Sequence, residues 1–157
     1  MVPNCPIEED EYIGENYLRS SKFCGSSMDG LLQEYVEISP KRLVKLPDDI
    51  DRNVAAFTEI VSVSVHAISR FDKISHPRRD VIGVWGDGNL GYITSLFLKY
   101  TFPDSKIVVF GTQREKLSDF TFADETHLVN EVPEGFTMDH AFECVGGNGS
   151  PIAIEQI

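Results

Sequence analysis

Residues 86–91 read Gly-Asp-Gly-Asn-Leu-Gly, and few main-chain arrangements call for three glycines at that spacing. The stretch before them, DVIGVW over 80–85, is almost continuously apolar, as in a parallel strand buried on both faces. The stretch after them, NLGYITSLFLKY over 89–100, puts Leu90, Ile93, Phe97 and Tyr100 on one helical stripe. A strand, a G-x-G-x-x-G turn and a helix in that order make a dinucleotide-binding turn. Gly86 allows the tight turn, and Gly88 lets the main chain approach a pyrophosphate. Gly91 lets the helix lie close on the sheet, with the phosphates at its N-terminus. Asn89 and Leu90 complete the phosphate-facing turn. The alternative is a tight turn that holds no ligand.

The rest of the chain from residue 80 keeps the alternation of strand and helix. KIVVF at 106–110 predicts a second strand and QREKLSDF a short helix, with THLVN and DHAFECVG as third and fourth strands. The fold class is therefore α/β: a partial doubly wound parallel sheet, with the fourth strand left as an open edge. Residues 1–50 differ. LLQEYVEI and RLVKL alternate in period two between Gly, Ser and Pro, which predicts strands and loops of a β-rich unit. Over 51–79 the period changes again. Val54, Phe57, Val61, Val65 and Ile68 share a helical face, with Asp49 or Asp51 placed to cap it. Three segments result: 1–50, a connecting helix region 51–79, and a dinucleotide-binding unit 80–157. The opening MVPNCPIEEDEY has no element in front of it, and the closing GSPIAIEQI has no helix stop, so a fragment of a longer protein is expected.

Dinucleotide-binding folds ordinarily end the second strand in an acid that holds the adenosine ribose hydroxyls. Here that position is Gly111, followed by Thr112, Gln113 and Arg114. An acid would repel a 2′-phosphate: two unit charges ~4 Å apart cost ~1 kcal/mol in water and ~4 kcal/mol at an effective dielectric of 20. Gly111 removes that repulsion and opens space. Thr112 and Gln113 can donate hydrogen bonds, and Arg114 can pair bidentately with the dianion. The pattern predicts NADP(H) rather than NAD(H). Arg114 as a solvated helix residue is the alternative.

Composition excludes several classes. The formal net charge is −11, which argues against general nucleic-acid binding, and no apolar run is long enough for a membrane span. No signal-peptide pattern opens the chain, so the cytoplasm is the expected compartment. Three cysteines, Cys5, Cys24 and Cys144, are spaced like neither a disulfide framework nor a CxxC metal site. His76, His127 and His140 show no ligand spacing, and His66 reads as helix packing.

The stretch MDGLLQEYVEISPKRLVKLPDDIDRNVAAFTEIVSVSVHAISR followed by VIGVWGDGNLGYI resembles the medium-chain zinc-dependent alcohol dehydrogenase family. Within it, VWGDGNLGYI, FADETHLVNEVP and DHAFECVGG are most similar to the ribulose-5-phosphate reductases. The resemblance implies that 1–50 is the end of a GroES-like catalytic domain. It further implies NADPH-dependent reduction of ribulose 5-phosphate to ribitol 5-phosphate for teichoic-acid-type wall polymers. A catalytic zinc is implied too, with most ligands outside this chain and Glu59 as a ligand or adjacent acid. Glu59 as a surface-facing helix residue is the other reading. Cys144, Val145 and Gly146 resemble the stretch beside the nicotinamide-side ribose. The resemblance also implies a sugar phosphate as the small-molecule ligand, a homodimer and a cytidylyltransferase partner. The lobe holding Cys5 and Cys24 is expected to be zinc-free, and no proton donor is identifiable. Two rivals stay open: an NADP-dependent dehydrogenase of another polyol or aldehyde, and a catalytically silent nucleotide-binding protein.

Overall fold

The computed structural model describes residues 4–157. Residues 1–3, which open the stretch expected to be an incomplete catalytic domain, lie outside the described residues. The chain divides into two compact units, 1–50 and 51–157.

In the first unit β1 (Asn4–Cys5) pairs antiparallel with β2 (Lys22–Phe23). Single 3-10 turns stand at Glu15–Tyr17 and Pro40–Arg42. The expected strands at LLQEYVEI and RLVKL are not formed. Leu32, Tyr35, Leu43 and Val44 are all exposed, and no neighbouring strand pairs with them among the described residues. Alternation marks which side chains would share a face, but a strand exists only where another main chain takes up its N–H and C=O groups. Pairing of β1 with β2 brings the Sγ atoms of Cys5 and Cys24 to 3.8 Å, a proximity that their separation in sequence hides.

The second unit begins with α1 (Arg52–Ala55), capped by Asp51, whose Oδ1 accepts from the N–H of Asn53 at 2.7 Å and of Val54 at 3.2 Å. The expected single helix is broken there. The Thr58 hydroxyl donates to the Ala55 carbonyl at 2.6 Å, in place of a continuing helical bond, and α2 (Thr58–Ile74) starts afresh. Its buried line runs through Ser64 and Ile68, whereas Val54, Phe57 and Val65 are exposed. Then come β3 (Val81–Trp85), α3 (Asn89–Thr101), β4 (Lys106–Gly111), α4 (Arg114–Leu117), β5 (Glu125–Leu128), β6 (His140–Glu143) and α5 (Ser150–Gln156).

The four strands β3 to β6 form one parallel sheet in the order β5-β4-β3-β6. That is the 3-2-1-4 order of a doubly wound fold, as expected. The register pairs Ile82 with Ile107 and Val84 with Val109. These four join Ile68 and Leu98 in one core, while Trp85, Val108, Phe110 and Ala153 form the core of the opposite face. Burial on both faces explains why both strands read as continuous apolar runs. On α3 the buried line is Gly91, Thr94, Ser95 and Leu98, with Ile93 beside it, and Tyr100 of the expected stripe is exposed. At Gly91 the helix comes so close to the end of β3 that a Cβ would meet the Gly86 carbonyl, whereas Leu98 fills the core further along. Ser95 returns its hydroxyl to the Gly91 carbonyl at 2.7 Å, and Thr94 meets Ser64 of α2 at 2.9 Å.

Candidate nucleotide-binding site

The turn from β3 into α3 has the backbone that its glycines predict. Gly86 sits at φ +131°, a region L side chains rarely adopt, and its N–H donates to the Phe110 carbonyl at 2.8 Å. A Cβ on Gly91 would run into the Gly86 carbonyl oxygen, so only glycine allows the helix to start this close to the strand. Gly88, by contrast, has open space where a Cβ would stand, and no side chain caps the helix that follows. The first N–H groups of a 13-residue helix therefore face outward at Asn89 and Leu90. A cavity of about 890 Å³ opens beside this turn, lined by Asp87, Gly88, Asn89, Tyr92, Phe97 and Lys116 among others. Pyrophosphate chemistry fits the turn, since backbone donors and the helix dipole converge on an accessible point.

At the end of β4 the structure departs from the expectation. Gly111 is buried, and the space above it is filled. A Cβ there would stand 2.7 Å from the Asp87 Cβ, 2.8 Å from Asp87 Oδ2 and 2.9 Å from Leu117 Cδ2. Gly111 makes room for Asp87 of the glycine turn, not for an open phosphate pocket. Asp87 Oδ2 accepts from the Thr112 N–H at 2.7 Å, the Gln113 N–H at 2.9 Å and the Thr112 hydroxyl at 3.2 Å. Burial by itself would raise the Asp87 carboxyl. Those donors and the nearby Lys116 ammonium outweigh it and hold the carboxyl below the usual range. The donors assigned from sequence to a phosphate are thus engaged within the chain.

Arg114 is also placed differently. Its Nη2 reaches both carboxylate oxygens of Glu131 at 2.6 Å, and it does not line the cavity. Its side chain is 68% exposed, so the pair contributes only ~0–1 kcal/mol and could be exchanged for another anion. The cation on the cavity wall is Lys116, which sequence reasoning passed over. Its signal was present: Arg114 and Lys116 are two residues apart on one short helix and cannot share a face.

At the end of β6 the Cys144 N–H donates to the Trp85 carbonyl at 2.7 Å, and the Cys144 carbonyl closes over Gly86. This sets Cys144 against the glycine turn. Burial pushes the Cys144 thiol up, with Glu143 adding to it and a hydrogen bond with Thr94 opposing, which favours the protonated, packed thiol. Val145 and Gly146 have their N–H groups on Glu143 Oε1, both at 2.7 Å, while Ser150 donates to Oε2 at 3.0 Å. Bonds from Gly146, Ser150 and Val145 hold the Glu143 carboxyl below the usual range against partial burial. Glu143 shapes this loop, a role its sequence did not announce.

Glu59 lies exposed in the first turn of α2. That exposure is the surface-facing helix position given as the other reading of Glu59, and the metal role implied by the resemblance draws no support from burial. Among the described residues no group of three or more His, Cys, Asp or Glu could hold a metal ion, so these residues do not by themselves make a zinc site. His76 and His140 have ring centroids 4.1 Å apart, and the His140 Nε2–H donates to the Arg78 carbonyl at 2.9 Å. No helix among the described residues is long and apolar enough to cross a membrane.

No family model matches the chain. All 157 residues are 56% identical to a ribulose-5-phosphate reductase of Bacillus spizizenii and 54% identical to ribulose-5-phosphate reductase 1 of Staphylococcus aureus, in each case spanning 46% of the relative. The chain thus spans about half the length of the curated relatives it matches. The crystal structure of S. aureus TarJ in complex with NADPH superimposes with a TM-score of 0.73 at 53% identity, over 82% of this chain and 40% of that one.

Proposed function

We propose that this chain, homologous over its whole length to the ribulose-5-phosphate reductases, carries the nucleotide-binding portion of such an enzyme in the medium-chain alcohol dehydrogenase family. The reaction is the NADPH-dependent reduction of ribulose 5-phosphate to ribitol 5-phosphate. The observation that carries this reading is identity above half over all 157 residues, together with a glycine turn shaped for a pyrophosphate. NADPH, when bound, supplies a hydride to the ketone carbon. This chain's residues bind and orient it. Gly86, Gly88, Asn89, Leu90 and Gly91 hold the pyrophosphate on the start of α3. Asp87 and Lys116 face the adenosine end, Gly111 makes room for Asp87, the Thr112 and Gln113 main chain holds its carboxylate, and Arg114, on the same short helix as Lys116, is paired with Glu131. Cys144, Val145 and Gly146 flank the nicotinamide-side ribose, with Glu143 fixing their main chain.

Residues 1–50 would be the end of the catalytic domain, 51–79 the connection to it and 80–157 the dinucleotide-binding domain. Glu59 as a zinc ligand or adjacent acid, a homodimer and a cytidylyltransferase partner rest on the family resemblance alone. A reductase drawing on NADPH would work in the cytoplasm.

Nucleotide titration followed by fluorescence tests the binding half, with NADPH expected to bind more tightly than NADH. Ribulose 5-phosphate-dependent oxidation of NADPH tests the chemistry, in a protein joining this segment to the remainder of its relatives' length. Failure of such a protein to bind either nucleotide would refute the reading. Faster turnover of unphosphorylated ketoses than of ribulose 5-phosphate would redirect it to another polyol.

A further inference from the structure

We propose that Asp87 is the ribose-reading acid of this site, moved from the end of the second strand into the glycine turn, and that it sets the ratio of NADPH to NADH affinity. The inference rests on the nucleotide-binding reading above. In doubly wound folds the adenosine ribose lies at the C-terminal end of the second strand, where an acid discriminates against a 2′-phosphate. Strand β4 has no acid at that end, yet a carboxylate oxygen stands 2.8 Å from where the Gly111 Cβ would be. The chain has therefore kept the charge and changed the residue that carries it.

Three features make the placement specific. Gly111 is the one residue type that admits Asp87 there, because any Cβ would collide with the Asp87 Cβ and Oδ2. The carboxylate is held by three donors on a single oxygen, Oδ2, from the main chain of Thr112 and Gln113 and the Thr112 hydroxyl. Finally, Asp87 lines the cavity beside Gly88 and Asn89, the turn that receives the pyrophosphate, with Lys116 on the same wall. Held ionised in this way, Asp87 opposes a 2′-phosphate and Lys116 attracts it. The affinity ratio is the balance of the two, so an NADPH preference here is moderated by a built-in anion and not simply released by a missing one.

The test is the dissociation constants of NADPH and NADH for the full chain and for Asp87→Asn. Asparagine keeps the shape and an oxygen for the Thr112 and Gln113 N–H groups, and removes only the charge. The ratio of NADH to NADPH dissociation constants should rise by at least about threefold at low salt, and the gain should shrink in about 1 M salt as screening takes over. A merely structural role would not produce that salt dependence. If Asp87→Asn fails to fold, as judged by its thermal midpoint, the same ratio is read in Asp87→Ser, whose hydroxyl carries no charge. An unchanged or falling ratio would overturn the inference, as would a rise that salt leaves intact. The ratio in the unmodified chain tests the NADPH reading, whereas its change on substitution tests Asp87, so the two fail separately. Absence of binding of either nucleotide to the unmodified chain would overturn both.

Discussion

Gly91→Ala separates a packing glycine from an ordinary helical one by the sign of its effect. Gly91 is the third residue of α3, and replacing a helical glycine by alanine normally stabilises by ~0.5–1 kcal/mol. Here the new Cβ would collide with the Gly86 carbonyl oxygen and lie 2.8 Å from its carbonyl carbon. Neither is the end of a flexible side chain. Gly86 is anchored on one side by its bond to the Phe110 carbonyl and closed on the other by the Cys144 carbonyl, so the strand side does not yield. The helix would have to move instead, and it is fixed by buried Leu98 and by the Ser64–Thr94 hydroxyl pair. Overpacking of a core costs ~1–3 kcal/mol and sometimes more. Set against the propensity gain, a net loss of up to about 2.5 kcal/mol is expected, equivalent to up to roughly 15 °C in Tm for a unit of this size. Trp85 is the only tryptophan, buried and stacked on Phe110 at 4.0 Å, so its fluorescence in a urea titration reports this unit directly. Gly88→Ala is the control. Its Cβ enters open space, so its midpoint should stay within about 0.5 kcal/mol while NADPH binding is lost. A midpoint for Gly91→Ala equal to or above that of the unmodified chain would refute the packing argument.

Gly111→Ala should destabilise by about 1–3 kcal/mol and loosen the Thr112 and Gln113 amides, seen as faster hydrogen exchange, because its Cβ would stand 2.7 Å from the Asp87 Cβ. Lys116→Ala should weaken NADPH binding more than Arg114→Ala does, since Lys116 lines the cavity and Arg114 faces Glu131; the reverse order in titration would restore Arg114 as the phosphate cation. Stability should fall on acidification. The Asp139 carboxyl is held below the usual range by the Val81 N–H and Arg78. Burial raises that of Asp124, but Lys99 and the Ile107 N–H outweigh it. Each folded carboxyl binds its proton less readily than the unfolded one, so this stability is present above the ordinary carboxylate range and is lost as pH falls through it. Urea midpoints should therefore decline below about pH 5, and a flat profile down to pH 3 would contradict the assignment.

What the sequence by itself determined is the part of the fold that is local. The apolar run at 81–85, the three glycines and the stretch at 106–110 sufficed for a strand–turn–helix–strand unit, and the strand order followed from the doubly wound class to which that unit belongs. The glycines could be read because each answers a main-chain demand within a few residues. What only the tertiary structure decided is which partner each polar group takes. Asp87 meets the main chain of Thr112 and Gln113, Arg114 meets Glu131, and Cys5 meets Cys24. These pairs lie 17 or more residues apart and leave no period in the sequence. The same holds for the buried hydroxyls of Ser64 and Thr94, which a hydropathy pattern assigns to the surface until another hydroxyl faces them across two helices. Periodicity reports what a residue's own element exposes or hides. A hydrogen bond or ion pair depends on two elements meeting, and its geometry exists only once the sheet has brought the ends of β3 and β4 side by side.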